Sequence, residues 1–425
     1  MKTTQRIIYA FFICSGSISI AKGQVQRLSL DTVLARIAAN PALQSYDSRI
    51  RAQDAYAGAA KNLDAPKISA GQYQTPYQLS PNSGSFMISA EQMFTNPAKL
   101  QAKENYMKGV SKLTAEEKNY MKNQLAAQAK QYYYDRIILE KKLIQLQNTQ
   151  NLLDYMLKDA NIRLTYGKEK LGNIYKAKAD LYELQNTREQ LNNDIRQKNI
   201  MLNTLMNRDK QAEFSVDTNI ELKEYEMAIT DTASLAGSRS DIKVLNRNIE
   251  LQALNARMEY SKRKPDFGIQ AAHMISYGGY PNQYLLMGSV TIPIVPWASK
   301  EYKSNLKGIR YEVEEMEQKK LDILNQASGQ LAGLRADISS KKRQLKNYDQ
   351  NILPALQNNY KTSLLAYEQN TGDLASVLDG IKGLQSARME ALDRLQELLQ
   401  LQVAYERENE TTIVASLPLK TNQIK

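Results

Sequence analysis

One stretch limits what this chain can become more than any other. From Pro265 to Pro296 it reads PDFGIQAAHMISYGGYPNQYLLMGSVTIPIVP, two alternating runs around the turn-prone GGYPN. Phe267, Ile269, Ala271, Ile275 and Tyr277 share one strand face, and Asp266, Gly268, Gln270, Ala272, Met274 and Ser276 share the other. After the turn, Tyr284, Leu286, Gly288, Val290 and Ile292 alternate with Gln283, Met287, Ser289 and Thr291. Each run is about 10 residues long, enough to cross a bilayer as a tilted barrel strand. The unit occurs twice. Pro66 and Pro265 lie 199 positions apart, and so do Pro97 and Pro296, so the segment from helix end to returning strand is repeated without a gap. In the first copy Phe86, Ile88 and Ala90 share one face while Met87, Ser89 and Glu91 share the other. The run from Lys67 to Thr75 is the weakest of the four, with Ile68 and Ala70 its only clear apolar pair.

Long helical patterns surround both hairpins. Residues 24–65 read as a first helical segment, opened by Asp31, stopped at Asn40-Pro41 and resumed from Pro41, since proline is favourable in a first turn. Residues 98–206 form a helical hairpin whose first arm, to about Leu164, contains no proline and is about 100 Å long at 1.5 Å per residue. A helix of that length needs partners throughout, which points to a coiled coil or an α-barrel. Its second arm carries Leu181, Leu184, Leu191, Ile195, Leu202 and Leu205 at heptad-like spacing. Residues 241–264 are a helix of the second copy, 265–296 its strand hairpin, and 297–410 its long helical hairpin, which Pro354 should bend. Ile381, Leu384 and Leu395 stand 200 positions after Leu181, Leu184 and Ile195, and Arg388 matches Arg188. Residues 207–240 read as a connector or small side domain, and 411–425 as a polar, poorly ordered tail.

The expected fold class is mainly α with a membrane β-barrel contribution: duplicated long-helix hairpins forming a tunnel, plus four β-strands per protomer. Four strands cannot seal themselves. Two open edges in lipid would leave unpaired N–H and C=O groups costing several kcal/mol each, and single-chain barrels begin at about eight strands. Copies must therefore pool strands. Two chains give eight and three give twelve, and the residues alone do not choose.

Residues 1–23 read as a secretory signal peptide: Lys2 and Arg6 precede an apolar run from Ile7 to Ala21, with small Ala21 and Gly23 before Gln24. A transmembrane anchor is the other reading, but Ser15, Gly16, Ser17 and Ser19 break the run. The only cysteine, Cys14, lies inside it and does not follow a small residue, which argues against lipidation; the mature chain would hold no thiol. The net charge of +11 raises nucleic acid as a partner, but Lys and Arg are spread along helices among nearly as many acids, the pattern of a solvated surface. Enzymatic chemistry lacks its residues. There is one histidine, His273, within a strand on its more apolar face, and no phosphate loop, HExxH or GxSxG pattern, so no cofactor, metal or catalytic site is expected. Tyr73, Tyr77, Tyr277, Tyr280 and Tyr284 gather near the outer strand ends, as an interfacial girdle or as loop packing. Met87, Met93, Met274 and Met287 lie in or beside the strands, as apolar filler or as soft thioether ligands.

The export signal, duplicated halves, proline-bounded hairpins and long helices together resemble the TolC family of outer-membrane efflux channels. The resemblance covers essentially the whole mature chain. It includes NPAL at 40–43, KPDFGIQ at 264–270, VTIPIVPW at 290–297, and Tyr367 with LASVLDG at 374–380. No one of these is specific; their order and spacing are. SAEQMFTNP resembles the heavy-metal branch. The resemblance implies a homotrimer in the outer membrane of a Gram-negative bacterium, a twelve-stranded barrel continued by a twelve-helix periplasmic tunnel. It also implies docking through a periplasmic adaptor onto an inner-membrane efflux pump, contact with outer-membrane lipid and none with nucleic acid. Pro66, Pro97, Pro265 and Pro296 mark the helix-to-strand junctions. The implied gate is a set of carboxylate rings past the helical turns: Asp379 stands at one ring position, Ser376 at another, and Asn173 where an acid is usual. Gly372 replaces a basic residue, and Asp373 could supply a displaced charge. Asp379 as a plain solvated helix residue is the other reading. The alternatives to a passive channel are a soluble periplasmic coiled-coil scaffold or adaptor, and an adhesin or stalk.

Overall fold

The structure, a computed structural model, describes residues 26–77, 82–220, 222–223, 232–293 and 295–410. The signal peptide, the tail from residue 411, the turn at 78–81 and part of the 207–240 connector lie outside the described residues. The elements in order are β1 (Gln26–Leu28), α1 (Leu30–Arg36), a 3-10 turn (Ile37–Ala39), α2 (Pro41–Ala59), β2 (Lys67–Tyr73), β3 (Ser85–Phe94), α3 (Pro97–Thr165), α4 (Leu171–Leu205) and β4 (Phe214–Val216). They continue with α5 (Thr232–Ser238), α6 (Ser240–Ser261), β5 (Asp266–Ser276), β6 (Gln283–Thr291), α7 (Pro296–Asn347), a π turn (Tyr348–Ile352), α8 (Leu353–Glu368) and α9 (Leu374–Asn409).

Two Asn-Pro pairs start long helices in the same way. The Asn40 Oδ1 accepts from the Ala42 N–H at 2.9 Å and the Asn96 Oδ1 from the Ala98 N–H at 3.1 Å. Each asparagine caps a donor that the helix leaves unpaired, and the following proline lacks the N–H that would otherwise be orphaned. From Pro97 the chain then runs 69 residues without interruption. The corresponding second-copy helix is interrupted by the π turn just ahead of Pro354, which stands in the first turn of α8. A widened turn accommodates a proline that can neither donate nor fit the regular ladder.

The helices form one layer. Towards the strands the packing order is α2-α3-α6-α7, matching the antiparallel sheet order β2-β3-β5-β6. Towards the other end α3 packs on α4 and α9, and α9 on α7 and α8. The core is correspondingly a set of seams rather than one centre. One seam joins Leu146, Leu153 and Met156 of α3, Ile174, Leu181 and Leu184 of α4, Tyr360 and Tyr367 of α8, and Leu374, Val377 and Ile381 of α9. A second gathers Leu28, Val33, Ile37, Tyr133, Leu202 and Phe214 around a two-stranded parallel sheet in which Gln26 pairs with Phe214 and Leu28 with Val216. That sheet stitches the start of the chain to the connector. Three-residue strands show no usable alternation, which is why the sequence offers no sign of it.

The repeat is not of constant length. Its offset is 199 at the prolines and 203 at the first residues of α4 and α9, Leu171 and Leu374. The sequence match of Leu181, Leu184 and Ile195 to Ile381, Leu384 and Leu395 at 200 is therefore out of step with the helices. Three residues is close to one turn, so the mismatched leucines still lie on the same helix face and imitate a true correspondence.

Candidate pore wall and helical tip

The four-stranded sheet has two chemically different faces. Register places Ile68, Ala90, Ala271 and Leu286 in one cross-strand row, and Ala70, Ile88, His273 and Tyr284 in the next. Phe86, Phe267, Ile269, Ile275 and Val290 continue this side. It is bare in the protomer: Ile68 is 74 % exposed, Leu286 71 % and Tyr284 84 %. His273 thus stands on the apolar face, with Ile88 and Tyr284 as its cross-strand neighbours. The opposite face carries Lys67, Glu91, Gln270 and Met287 in one row and Ser69, Ser89, Ala272 and Leu285 in another. A sheet apolar on one side and polar on the other, with no helix covering the apolar side, has the pattern of a membrane barrel wall. The 11 residues of β5, tilted by about 45°, rise roughly 25 Å, the height of an outer-membrane apolar band.

Aromatic residues mark both limits of this band. Tyr73, Tyr277 and Tyr284 lie at the strand ends far from the helices, and Trp297, 79 % exposed, stands in the first turn of α7 at the other end. At the tyrosine end the two hairpins touch: the Tyr277 hydroxyl donates to Gln72 Oε1 at 2.8 Å, and a Cβ on Gly278 would lie 2.6 Å from the Asn82 carbonyl oxygen. Only glycine fits that approach, and its φ of +70° suits glycine as well. At the helix end the two copies are tied by Asp266, which accepts from the Asn96 N–H at 2.8 Å and from Lys99 Nζ at 2.5 Å. Both outer strands, β2 and β6, have a free edge in the protomer.

The helical tip lies at the turns α3–α4 and α8–α9. Lys176 Nζ donates to Asp379 Oδ1 at 2.7 Å, and this hydrogen bond raises the lysine pKa. Lys382 lies 3.4 Å from Glu183 and 3.7 Å from Asp180. The Arg163 guanidinium sits 4.2 Å over the Tyr367 ring and donates to the Tyr367 carbonyl at 3.1 Å and to Asn370 Oδ1 at 3.0 Å. Asp373 is the N-cap of α9. Its Oδ1 accepts from the Ser376 hydroxyl at 2.6 Å and from the Ser376 N–H at 2.9 Å, and these bonds hold its pKa below the usual carboxylate range. Asn173 donates to Glu169 Oε1 at 2.8 Å.

No family model matches the chain, and no curated protein matches it in sequence. Solved structures do. The CusC channel superposes with a TM-score of 0.73 at 14% identity, covering 89% of this chain and 91% of that one. The outer-membrane protein VceC of Vibrio cholerae gives 0.70 at 14%, covering 90% and 96%. The open-state MtrE outer-membrane channel of Neisseria gonorrhoeae gives 0.70 at 13%, covering 90% and 88%. The chain has the TolC-like channel fold.

Within the TolC-like fold the four residues expected at a gate fall at the tip, but they do not form an acidic cluster. Asp373 and Ser376 are joined to each other as a cap, Asn173 is turned to Glu169, and Asp379 is paired. The offset of 203 explains the pairing: Lys176 and Asp379 are equivalent positions of the two copies, as are Asn173 and Ser376. Lys176 is hidden in the sequence because the leucine match at 200 sets Asp379 against Ala179 instead. Among the described residues no group of three His, Cys, Asp or Glu side chains could hold a metal, and no helix is long and apolar enough to cross a membrane.

Proposed function

We propose that this protein is the outer-membrane exit duct of a tripartite efflux system in a Gram-negative bacterium. Three copies pool their sheets into a twelve-stranded barrel, and their helices continue it as a tunnel across the periplasm. The duct is passive. Energy comes from an inner-membrane pump reached through a periplasmic adaptor. One observation carries this reading: a four-stranded sheet with a bare apolar face and two free edges, joined directly to a helix of about 100 Å. Neither a soluble adaptor nor a stalk has use for such a sheet. The channels similar to this chain in structure support the outer-membrane setting, and the count of three chains is what the family resemblance implies.

The tip is the gate in this proposal, with a constriction that is electrically compensated rather than acidic. Asp379 from each copy enters the ring already paired with Lys176, and Lys382 faces Asp180 and Glu183 nearby. The test is fractionation followed by planar-bilayer recording. Recovery with outer membranes and discrete conductance steps are expected; recovery in the soluble periplasm without detergent, or a membrane-inserted protein that never conducts, contradicts the proposal.

A further inference from the structure

The four strand methionines lie on one face of the sheet, the face that carries Lys67, Glu91, Gln270 and Thr291, and none lies on the apolar face. Met87 and Met274 stand directly opposite each other on the two central strands. Their row is completed by Gly71 on β2 and Gln283 on β6, and the rows above and below present Ser85 with Ser276 and Ser89 with Ala272. Two long thioethers therefore rise from a floor of glycine, alanine and serine. Ser85, Ser89 and Ala272 are buried in that floor, Met87 is half-buried, and Met274 is 8 % exposed. Met93 is placed differently: a Cβ on Gly268 would lie 2.6 Å from its Sδ, so its sulfur already fills the space over that glycine. Met287 lies on edge strand β6 opposite Gln270, away from the central pair.

Directly opposed residues in an antiparallel pair have Cβ atoms about 4.5–5.5 Å apart, a distance that two unbranched, three-torsion side chains can close around one ion. Thioethers are soft and uncharged, so they select soft monovalent cations over Na⁺, K⁺, Mg²⁺ or Zn²⁺. The geometry points to a binding site for Cu(I) or Ag(I) at Met87 and Met274, facing the pore. With no carboxylate or thiolate in its rows, the site holds the ion weakly enough to release it, as conduction requires. In a three-chain barrel the pair occurs three times at one level. The inference rests on the channel reading, because only in a barrel does this face line a pore.

The test uses full-length protein purified in detergent, kept reduced and free of oxygen, and titrated against the Cu(I) complex of a coloured chelator. The wild type should withdraw Cu(I) from the chelator. The double variant Met87→Leu/Met274→Leu should bind at least about tenfold more weakly, and Met93→Leu/Met287→Leu should keep the wild-type affinity. Leucine preserves volume and apolarity, and trimer mobility on a gel confirms that each variant is folded. The inference is overturned if the wild type leaves the chelator loaded, or if Met87→Leu/Met274→Leu binds as tightly as the wild type. Single-channel recording on the same wild-type preparation separates the two readings: conductance without Cu(I) binding defeats this site alone, whereas folded protein without conductance defeats the channel.

Discussion

At the scale of single residues the tip separates charge from stability. Lys176 and Asp379 have side chains 42 % and 69 % exposed, and ion pairs that open to water contribute about 0.2–1 kcal/mol. Leu374, Val377 and Leu378 beside them are almost fully buried, at about 1.5–3 kcal/mol each. Packing therefore holds the two hairpins of one chain together, and the ion pair sets the sign of the local potential. Lys176→Ala should unmask three carboxylates, raising cation preference and block by polyvalent cations from the tip side, with thermal stability nearly unchanged. Asp379→Ala should do the opposite; equal selectivity in both variants removes this pair from the gate. Asp373 offers a pH-dependent counterpart. Its folded pKa is depressed by Ser376, so the cap is complete above the ordinary aspartate value near 4 and is lost as pH falls through the depressed one. Protection of the 374–377 amides, as the observed hydrogen-exchange rate relative to the intrinsic rate at each pH, should fall at acid pH in the wild type, and be lower at all pH values in Asp373→Ala, which lacks a cap worth about 1 kcal/mol. None of these pairings was legible beforehand. Asp379 and Ser376 could be named from the sequence, but that Lys176 answers Asp379 depends on the 203-residue offset, which the leucine pattern at 200 disguised, and that Asp373 answers Ser376 depends on where α9 begins.

Among elements, the strands carried the clearest signal and the connector the least. Alternation in β5 and β6 already assigned the two faces, since a strand exposed to lipid on one side and water on the other writes that difference every second residue. β2 was the faintest because its polar face holds Lys67, Ser69 and Gly71 while its apolar face holds little beyond Ile68 and Ala70. The long helices were legible from proline placement and heptad leucines. The π turn was partly legible: Pro354 announced a disturbance, though not that an over-wide turn would absorb it. The β1–β4 sheet left no trace because its partners are short and far apart in sequence. The face assignment is open to a direct test. Ala271→Arg places a charge on the apolar face in the middle of β5 and should destabilise the folded barrel by about 2–4 kcal/mol, whereas Gln270→Arg, one position away on the other face, should cost under about 1 kcal/mol. Urea titration of the detergent-solubilised assembly measures both, and equal losses would mean that the faces are misassigned.

For the molecule as a whole, one protomer is an incomplete object. Its sheet ends in two unsatisfied edges, its helical layer is open at α2 and α7 on one level and at α4 and α8 on the other, and its apolar face has nothing to meet. In the proposed trimer, assembly completes all three at once. Edge strands gain hydrogen-bond partners, the layer closes into a tunnel, and lipid covers the face. The duplication makes this economical, since each chain supplies two of the same structural unit and three chains supply six. The most direct measurement is cross-linking between the free edges. In a Cys14→Ser background, Ile68→Cys on β2 is combined in turn with Tyr284→Cys, Leu286→Cys, Gly288→Cys or Val290→Cys on β6, and membranes are oxidised before denaturing electrophoresis. The account predicts that at least one combination gives a ladder of one, two and three chains that stops at three. A ladder that runs past three, or bands of one chain only at every register, would contradict it.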